Sequence, residues 1–178
     1  MRIINGKFRA KSIPTPKNFR DRPTTNFAKE GLFQLLRNRY DIQTIDVLDL
    51  FAGSGSISYE FVSVGAKSVT AVEKNSNYAR FTEKQVERFF PGELRVITAD
   101  AYRILEKSRL DYDVIFADPP YNDPNIQRIP DLTLNNPHLK ENALLIVEHS
   151  EDTDFSQHPY LEETRKYGKA RFSFFKKT

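Results

Sequence analysis

Short apolar segments that alternate with amphipathic ones constrain the fold of this 178-residue chain more than any other feature. Segments rich in branched and aromatic residues predict β-strands at 45–50, 68–73, 94–99, 112–117 and 143–149. Helical patterns separate the first four of these strands, at 56–64, 75–90 and 101–107. Strands that alternate with helices predict an α/β fold built on a doubly wound, mostly parallel sheet.

The last part of the chain predicts an antiparallel addition to this sheet. Residues 160–166 and 170–176 flank Gly168 and have the pattern of a closing β-hairpin. Such a pair commonly forms the edge of an otherwise parallel sheet. Three prolines interrupt the segment 122–142, which is expected to be irregular and partly helical.

The N-terminal residues predict a second, smaller hairpin. In residues 2–13, two extended segments flank Asn5-Gly6, a dipeptide that favours a tight two-residue turn. A basic linker with several prolines follows this hairpin. We therefore expect two parts, a basic hairpin and linker at 1–24 and the main domain at 25–178.

The main domain is expected to open with a helix. Thr25 or Asn26 can cap it, because both side chains carry an oxygen that accepts from the free amides of a first turn. Its predicted apolar face consists of Phe27, Ala28, Gly31, Leu32, Leu35 and Leu36.

The composition excludes several classes of protein. The chain contains no cysteine, so disulfides, thiolate metal sites and cysteine nucleophiles are excluded together. No apolar run approaches the roughly 20 residues that a membrane span needs. The N-terminal residues also lack the pattern of a signal peptide, because charges and prolines interrupt them. We expect a soluble cytoplasmic protein.

Basic residues are concentrated at the two ends of the chain. Residues 1–24 contain seven basic groups and one acid, and residues 165–178 contain six basic groups and no acid. The total charge is +3, so residues 25–164 carry a net charge of −9. An acidic body with two basic ends indicates a polyanionic partner, although solvated termini would give the same pattern.

Each of the first four predicted strands ends in an acid or in a glycine loop. The carboxyl ends of parallel strands meet at one edge of a sheet, so these residues are expected to surround one ligand. Along the chain they are Asp49 with Phe51-Ala52-Gly53-Ser54-Gly55, Glu73 with Lys74, Asp100 with Ala101, and Asp118-Pro119-Pro120-Tyr121.

The glycine loop and the acid after the second strand predict a nucleoside-containing cofactor. Gly53 allows the backbone to approach a ligand closely, and Glu73 lies 20 residues further on, where an acid can bind ribose hydroxyls. NAD would use the same two features, but its fingerprint needs a third glycine where this chain has Ser58. S-adenosylmethionine, an adenosine with a cationic amino-acid tail, fits the neighbouring acids better than a pyrophosphate does.

Two of these acids have alternative roles. Asp100 can accept from the adenine amine of the cofactor, or it can cap the next helix. Asp49 can face the cationic tail of the cofactor, or it can hold the glycine loop in place. The strand-end residue His149 and the phenylalanines Phe172, Phe174 and Phe175 are interpreted as structural.

The motifs resemble those of a known enzyme class. "DLFAGSGS", "VEKN", "ADAY" and "DPPY" are similar to those of Rossmann-like class I methyltransferases that act on exocyclic amines. The segments "RIINGKFRAKSIP", "RPTT", "KEGLFQLL" and "YGKARFSFF" resemble the RsmD family, whose members methylate N2 of guanine 966 in 16S ribosomal RNA. The resemblance implies S-adenosylmethionine as cofactor and 16S rRNA or the small ribosomal subunit as partner. The chemistry requires no metal, and we expect a monomer, although the sequence does not fix the oligomeric state.

The resemblance also implies roles for individual residues. Asp118 and the carbonyl of Pro119 would accept the two N–H groups of the target amine, on a backbone stiffened by Pro119-Pro120. Tyr121 would stack on the target guanine. The RNA contacts would come from the N-terminal part of the chain, at Arg2, Lys7, Arg9, Arg22 and Thr24.

Other functions remain open at this stage. A DNA adenine-N6 or cytosine-N4 methyltransferase could use the same Asp-Pro-Pro-Tyr motif, although the chain has little room for a DNA recognition domain. A protein-glutamine methyltransferase usually has Asn-Pro-Pro-Tyr. A non-catalytic RNA-binding assembly factor could keep the fold without the chemistry.

Overall fold

The computed structural model describes residues 1–16 and 24–177, so that the predicted RNA contact Arg22 lies outside the described residues. Within them, one sheet contains seven strands, β1 (Asp46–Leu50), β2 (Ser68–Glu73), β3 (Arg95–Thr98), β4 (Val114–Ala117), β5 (Leu144–His149), β6 (Leu161–Tyr167) and β7 (Ala170–Phe175). The same part of the chain forms five α-helices, α1 (Asn26–Arg39), α2 (Ser56–Val64), α3 (Ser76–Phe89), α4 (Ala101–Lys107) and α5 (Arg128–Leu134).

The order of the strands confirms the predicted Rossmann-like α/β fold. Across the sheet it is β3-β2-β1-β4-β5-β7-β6. The strands from β3 to β5 are parallel, and β7 is antiparallel to both β5 and β6. From β1 the chain adds β2 and β3 on one side of the sheet and then returns to add β4 and β5 on the other side, so the strand order reverses between β1 and β4. In open α/β sheets this switch point is where ligands bind.

The strands in the middle of the sheet are buried because helices cover both faces. Every residue of β4 and β5 is buried. One core layer contains the apolar residues of α1 and α2, such as Leu32 and Phe61. The other contains those of α4 and α5, such as Leu105 and Ile129.

The stretch between β4 and β5 is irregular and partly helical, as predicted. The short helix α5 has Pro130 in its first turn, where a missing N–H breaks no hydrogen bond. None of the helices in residues 1–16 and 24–177 is both long and apolar enough to cross a membrane.

Helix α1 begins as predicted and buries most of the predicted face, namely Ala28, Leu32, Leu35 and Leu36, but the face is shifted at its edges. The Thr25 hydroxyl caps it by accepting from the amide of Ala28 at 3.2 Å. Phe27, which was predicted to be buried, is 65% exposed, and its ring meets that of Tyr167 edge to face. The prediction was wrong because Lys29 and Phe33 occupy buried positions on this helix.

The N-terminal segment pairs with itself as expected, but its turn differs. Arg2 and Ser12 form an antiparallel bridge, and the Ile3 amide donates to the carbonyl of Lys11 at 3.0 Å. The predicted two-residue turn at Asn5-Gly6 is wrong, since the loop between the paired segments is longer. Gly6 instead packs so closely on α2 that a Cβ atom there would lie 1.9 Å from a backbone carbonyl oxygen.

A buried ion pair attaches this N-terminal segment to α1 and α2. Nζ of Lys29 lies 2.9 Å from Glu60, and both side chains are almost completely buried. The Glu60 carboxylate also accepts from the backbone amides of Ile4 and Asn5, each at 3.0 Å. Lys29 donates further to the carbonyl of Arg2 at 3.2 Å.

Candidate active site

A cavity of about 1000 Å³ opens at the carboxyl ends of the parallel strands, at the switch point of the sheet. It is lined by all four residues of the Asp118–Tyr121 motif and by every predicted cofactor residue except Gly55. The prediction that four strand ends would contribute to one site therefore agrees with the geometry. The roles of these residues remain predictions.

The loop between β1 and α2 adopts backbone conformations that favour glycine. Gly53 has φ +55° and Gly55 has φ +80°, both in the left-handed region. Gly55 is the N-cap of α2, and a Cβ atom there would lie 2.8 Å from the ring of Tyr59. Gly55 therefore shapes the loop, while Gly53 contributes directly to the cavity wall.

Asp49 is positioned for either of the two roles that the sequence left open, and both roles remain predictions. It lines the cavity, and its carboxylate accepts from the Ser58 hydroxyl at 2.5 Å, in the first turn of α2. Gly55 has no side chain to cap α2, and the Asp49 carboxylate accepts from the backbone amide of Ser58, one of the free amides of that first turn. Burial raises the pKa of Asp49 to about 7.

Glu73 holds the glycine loop through hydrogen bonds to the backbone. Its carboxylate accepts from the Gly53 amide at 2.8 Å and from the Asn75 amide at 2.6 Å. An ionised carboxylate has about four acceptor positions, so each oxygen can still accept from a ligand hydroxyl.

Asp100 is the N-cap of α4, one of the two roles considered for it. One carboxylate oxygen accepts from the amides of Tyr102 and Arg103, and the other lies 3.0 Å from Nζ of Lys74. Partial burial raises the pKa of Asp100, but the hydrogen bonds from Lys74 and the helix amides outweigh this effect and lower it overall. The carboxylate is therefore ionised at the cavity edge.

The Asp118–Tyr121 motif directly follows β4. The Asp118 amide lies 3.5 Å from the carbonyl of Leu50, and the carbonyl of Pro120 accepts from the Asp123 amide at 2.8 Å. Tyr121 is 38% exposed and lines the cavity, while its hydroxyl donates to Glu148 at 3.3 Å. The motif thus has a fixed backbone and a partly exposed aromatic ring.

Glu148 was missed by the sequence reasoning. It lies at the end of β5, it is 2% exposed, and it accepts from the hydroxyls of both Tyr121 and Thr24. An acid within the apolar run "ALLIVEH" was the available signal, because the fifth parallel strand ends at the same edge as the other four. The neighbouring His149 is structural as interpreted, with ring nitrogens 2.8 Å from the Ser173 hydroxyl and the Ser150 carbonyl.

The predicted RNA-binding residues lie in different places. Arg2 lies beside Lys29, near the first turn of α2 and the cavity. Lys7 lies beside Ser63 in the last turn of that helix, about 10 Å further from the cavity, and it pairs with Glu93. Arg9 is exposed in the N-terminal loop. Thr24 is buried and lines the cavity, but its hydroxyl is bonded to Glu148.

The C-terminal hairpin places basic residues at the same edge of the sheet as the cavity, although none of them lines it. In the register of the strands, Arg171 of β7 lies opposite His149 at the carboxyl end of β5, and Lys166 of β6 lies opposite Arg171. The hairpin tip, with the exposed Lys169, therefore lies at the same edge of the sheet as the Asp118–Tyr121 motif. Lys176 and Lys177 follow β7 at the opposite edge.

The sheet order, the glycine loop and the Asp-Pro-Pro-Tyr motif in one cavity define a class I methyltransferase. Residues 1–176 match the family described as Conserved hypothetical protein 95. The chain belongs to this family, the RsmD family.

Individual relatives agree with this assignment. The chain is 34% identical to ribosomal RNA small subunit methyltransferase D of Buchnera aphidicola subsp. Baizongia pistaciae, over 83% of this chain and 75% of the relative. It is 30% identical to the protein of the same name in Escherichia coli K12, over 83% and 74%. A solved structure of a hypothetical protein from Thermus thermophilus superimposes with a TM-score of 0.84, at 27% identity and 98% coverage of both chains.

Proposed function

We propose that this protein is an S-adenosylmethionine-dependent ribosomal RNA methyltransferase that methylates N2 of a guanine in 16S rRNA, at a site of the position-966 type. The observation that carries the proposal is the cavity that the glycine loop and the Asp118–Tyr121 motif share, in a chain of the RsmD family. The relatives named ribosomal RNA small subunit methyltransferase D support the choice of RNA.

The described side chains fit S-adenosylmethionine. When bound, this cofactor supplies a methyl group on a sulfonium. Glu73 retains acceptor positions for ribose hydroxyls, and Asp100 is held at the start of α4, where it can accept from an adenine amine. Asp49 lies across the same cavity, where its ionised form would attract the cationic tail.

Asp118 and Pro119 would prepare the acceptor amine. The exocyclic nitrogen of guanine is a weak nucleophile because its lone pair is delocalised into the ring. When the Asp118 carboxylate and the Pro119 carbonyl each accept one N–H, the nitrogen can become pyramidal and direct its lone pair at the methyl group. Orientation and electrostatics then lower the barrier, without a covalent intermediate on the protein.

The basic hairpin tip supports a nucleic-acid substrate. Lys166, Lys169 and Arg171 lie at the catalytic edge of the sheet, and contacts from them to phosphates would add affinity without reading the sequence. Tyr121 is exposed enough to stack on a base taken out of its RNA structure. Both features are expected of a site that binds a large polyanion.

Transfer of a radiolabelled methyl group tests this proposal. Unmodified small ribosomal subunits, naked 16S rRNA and duplex DNA would be compared side by side. We expect label in ribosomal RNA, mapped to a single N2-methylguanine. Label in DNA instead would favour the alternative DNA methyltransferase. Binding of cofactor without any transfer would favour a non-catalytic assembly factor.

A further inference from the structure

Glu148 connects two walls of the cavity that are far apart in the sequence. Its carboxylate accepts from the Thr24 hydroxyl at 2.6 Å and from the Tyr121 hydroxyl at 3.3 Å. Thr24 immediately precedes the cap of α1, and Tyr121 ends the catalytic motif. In the sheet, Glu148 lies one position beyond Val147, which pairs with Ala117, and thus beside the start of that motif.

The fold alone does not explain an acid at this position. Glu148 is 2% exposed, in a strand whose six residues are all buried. Among residues 1–16 and 24–177 its carboxylate has no cationic partner. Burying a carboxylate under such conditions is costly, and an apolar residue of similar size commonly gives equal or greater stability. Its two hydroxyl donors, in contrast, both belong to residues that line the cavity. We therefore explain the acid at this position by its hydrogen bonds to Thr24 and Tyr121.

We propose that Glu148 is a positioning residue that fixes the ring of Tyr121 against the acceptor base and ties it to Thr24. The proposal rests on the proposed methyl transfer to a stacked base. Anchoring the hydroxyl restricts rotation of the ring but leaves its face at the cavity, where the side chain is 38% exposed. A fixed ring holds the target amine in line with the methyl group, and small misplacements of reacting atoms reduce rates strongly.

The length of the Tyr121 bond is consistent with this role. At 3.3 Å it is long for two oxygens, whereas the Thr24 bond of 2.6 Å is short. Catalytic hydrogen bonds are often long in the free enzyme and tighten when the substrate binds. Thr24 therefore holds the carboxylate firmly, and the Tyr121 bond, already formed in the free protein, can shorten further when a base stacks on the ring.

A double-mutant cycle tests the proposal. Glu148→Gln keeps the size of the side chain and one acceptor oxygen, and Tyr121→Phe removes only the hydroxyl. We expect Glu148→Gln to lower kcat for methyl transfer about tenfold, with the Kd for S-adenosylmethionine unchanged. In the Tyr121→Phe background, the same substitution should have almost no further effect, because the bond that it weakens is already absent.

Two controls separate positioning from a general loss of structure. Ser173→Ala removes a buried hydroxyl on the neighbouring strand, which bonds to His149 and not to the cavity. It should lower Tm without changing kcat. The proposal would be overturned if Glu148→Gln lowered kcat equally in the wild-type and Tyr121→Phe backgrounds. It would also be overturned if Glu148→Gln changed Tm and left kcat unchanged.

A second measurement does not depend on the proposed reaction. In protein with ¹³C-labelled tyrosine rings, NMR relaxation reports how freely the Tyr121 ring moves, and Tyr121→Phe identifies its signal. We expect Glu148→Gln to increase the motion of this ring in the free protein. Unchanged motion would overturn the positioning role. Absence of methyl transfer in the wild type, with increased ring motion in the variant, would instead mean that the proposed function is wrong.

Discussion

The molecule contains two buried glutamates with very different surroundings. Glu60, under the N-terminal segment, pairs with Lys29 at 2.9 Å and accepts from two backbone amides. Glu148, beside the cavity, accepts from two hydroxyls, and no salt bridge to it occurs among the described residues. Burial raises the pKa of Glu148. Glu60, whose charge is balanced by Lys29, connects parts of the fold. Glu148, which has only hydroxyl donors among the described residues, lies beside the proposed catalytic residues.

The same contrast extends to the neighbouring residues. On the side of Glu60, the contacts among the described residues join α1, α2 and the N-terminal segment, and they reach the cavity wall only through a 3.4 Å bond from Lys29 to Ser56. On the cavity side, Asp49 and Glu148 each depend on hydroxyl donors. We therefore expect substitutions on the first side to change stability and those on the second to change cofactor binding or rate.

The largest expected effect comes from breaking the structural ion pair. Lys29→Met leaves Glu60 buried and without its cation, which costs about 3–5 kcal/mol of unfolding free energy. The fraction that remains folded should bind S-adenosylmethionine normally. Denaturant unfolding measures the first effect, and calorimetric titration at low temperature measures the second.

A paired variant checks the cause of that loss. Lys29→Met combined with Glu60→Gln removes both charges but keeps an acceptor oxygen for the amides of Ile4 and Asn5. It should recover a substantial part of the stability. If Lys29→Met instead reduced kcat strongly in a protein of normal stability, the two regions would not be separate.

Asp118→Ala makes the opposite prediction on the cavity side. Loss of one preorganised acceptor for the target amine should slow methyl transfer roughly 100- to 1,000-fold. Cofactor affinity should stay within about twofold, and Tm should change little. Single-turnover kinetics with rRNA, together with a titration of cofactor binding, would test this. The rate of methyl transfer by Asp118→Asn should lie between those of the wild type and Asp118→Ala. Full activity of Asp118→Ala would disprove the role of the motif.

The sequence predicted those residues that local signals mark, and it missed those that depend on distant partners. The ends of β2 and α2 were correct because Glu73 and the glycines mark them locally. Lys29 and Glu148 were missed, since the partners of both lie at least 27 residues away. The turn at Asn5-Gly6 was wrong for the same reason, because contacts with α2 outweigh the local preference.

Glu73→Ala should have a smaller effect than Asp118→Ala, and on a different quantity. It removes the predicted acceptor for ribose and frees the Gly53 amide, so the Kd for S-adenosylmethionine should rise about tenfold. At saturating cofactor, kcat should fall by no more than a few-fold. Glu73→Gln, which keeps one acceptor oxygen, is the matched control. A large loss of kcat with unchanged Kd would show that Glu73 acts on the acceptor side instead.

The last prediction concerns the pH dependence that Asp49 contributes. Its pKa is raised from 3.8 to about 7, so between these values the folded state holds a proton that the unfolded state lacks. Its contribution to stability is therefore fully present below about pH 4 and is lost as pH rises towards 7. Asp49→Asn keeps an acceptor for Ser58 and should remove this dependence, which makes the variant relatively more stable at pH 8.

Cofactor binding should respond to Asp49 in the opposite direction. The ionised carboxylate attracts the cationic tail, so wild-type affinity for S-adenosylmethionine should rise up to about tenfold from pH 6 to 8 relative to Asp49→Asn. The α-amino group of the cofactor titrates in the same range, but it does so for both proteins, and the ratio of their affinities isolates Asp49. A constant ratio would mean that Asp49 only holds α2 in place. A ratio that rises with pH would show that the ionised acid strengthens cofactor binding.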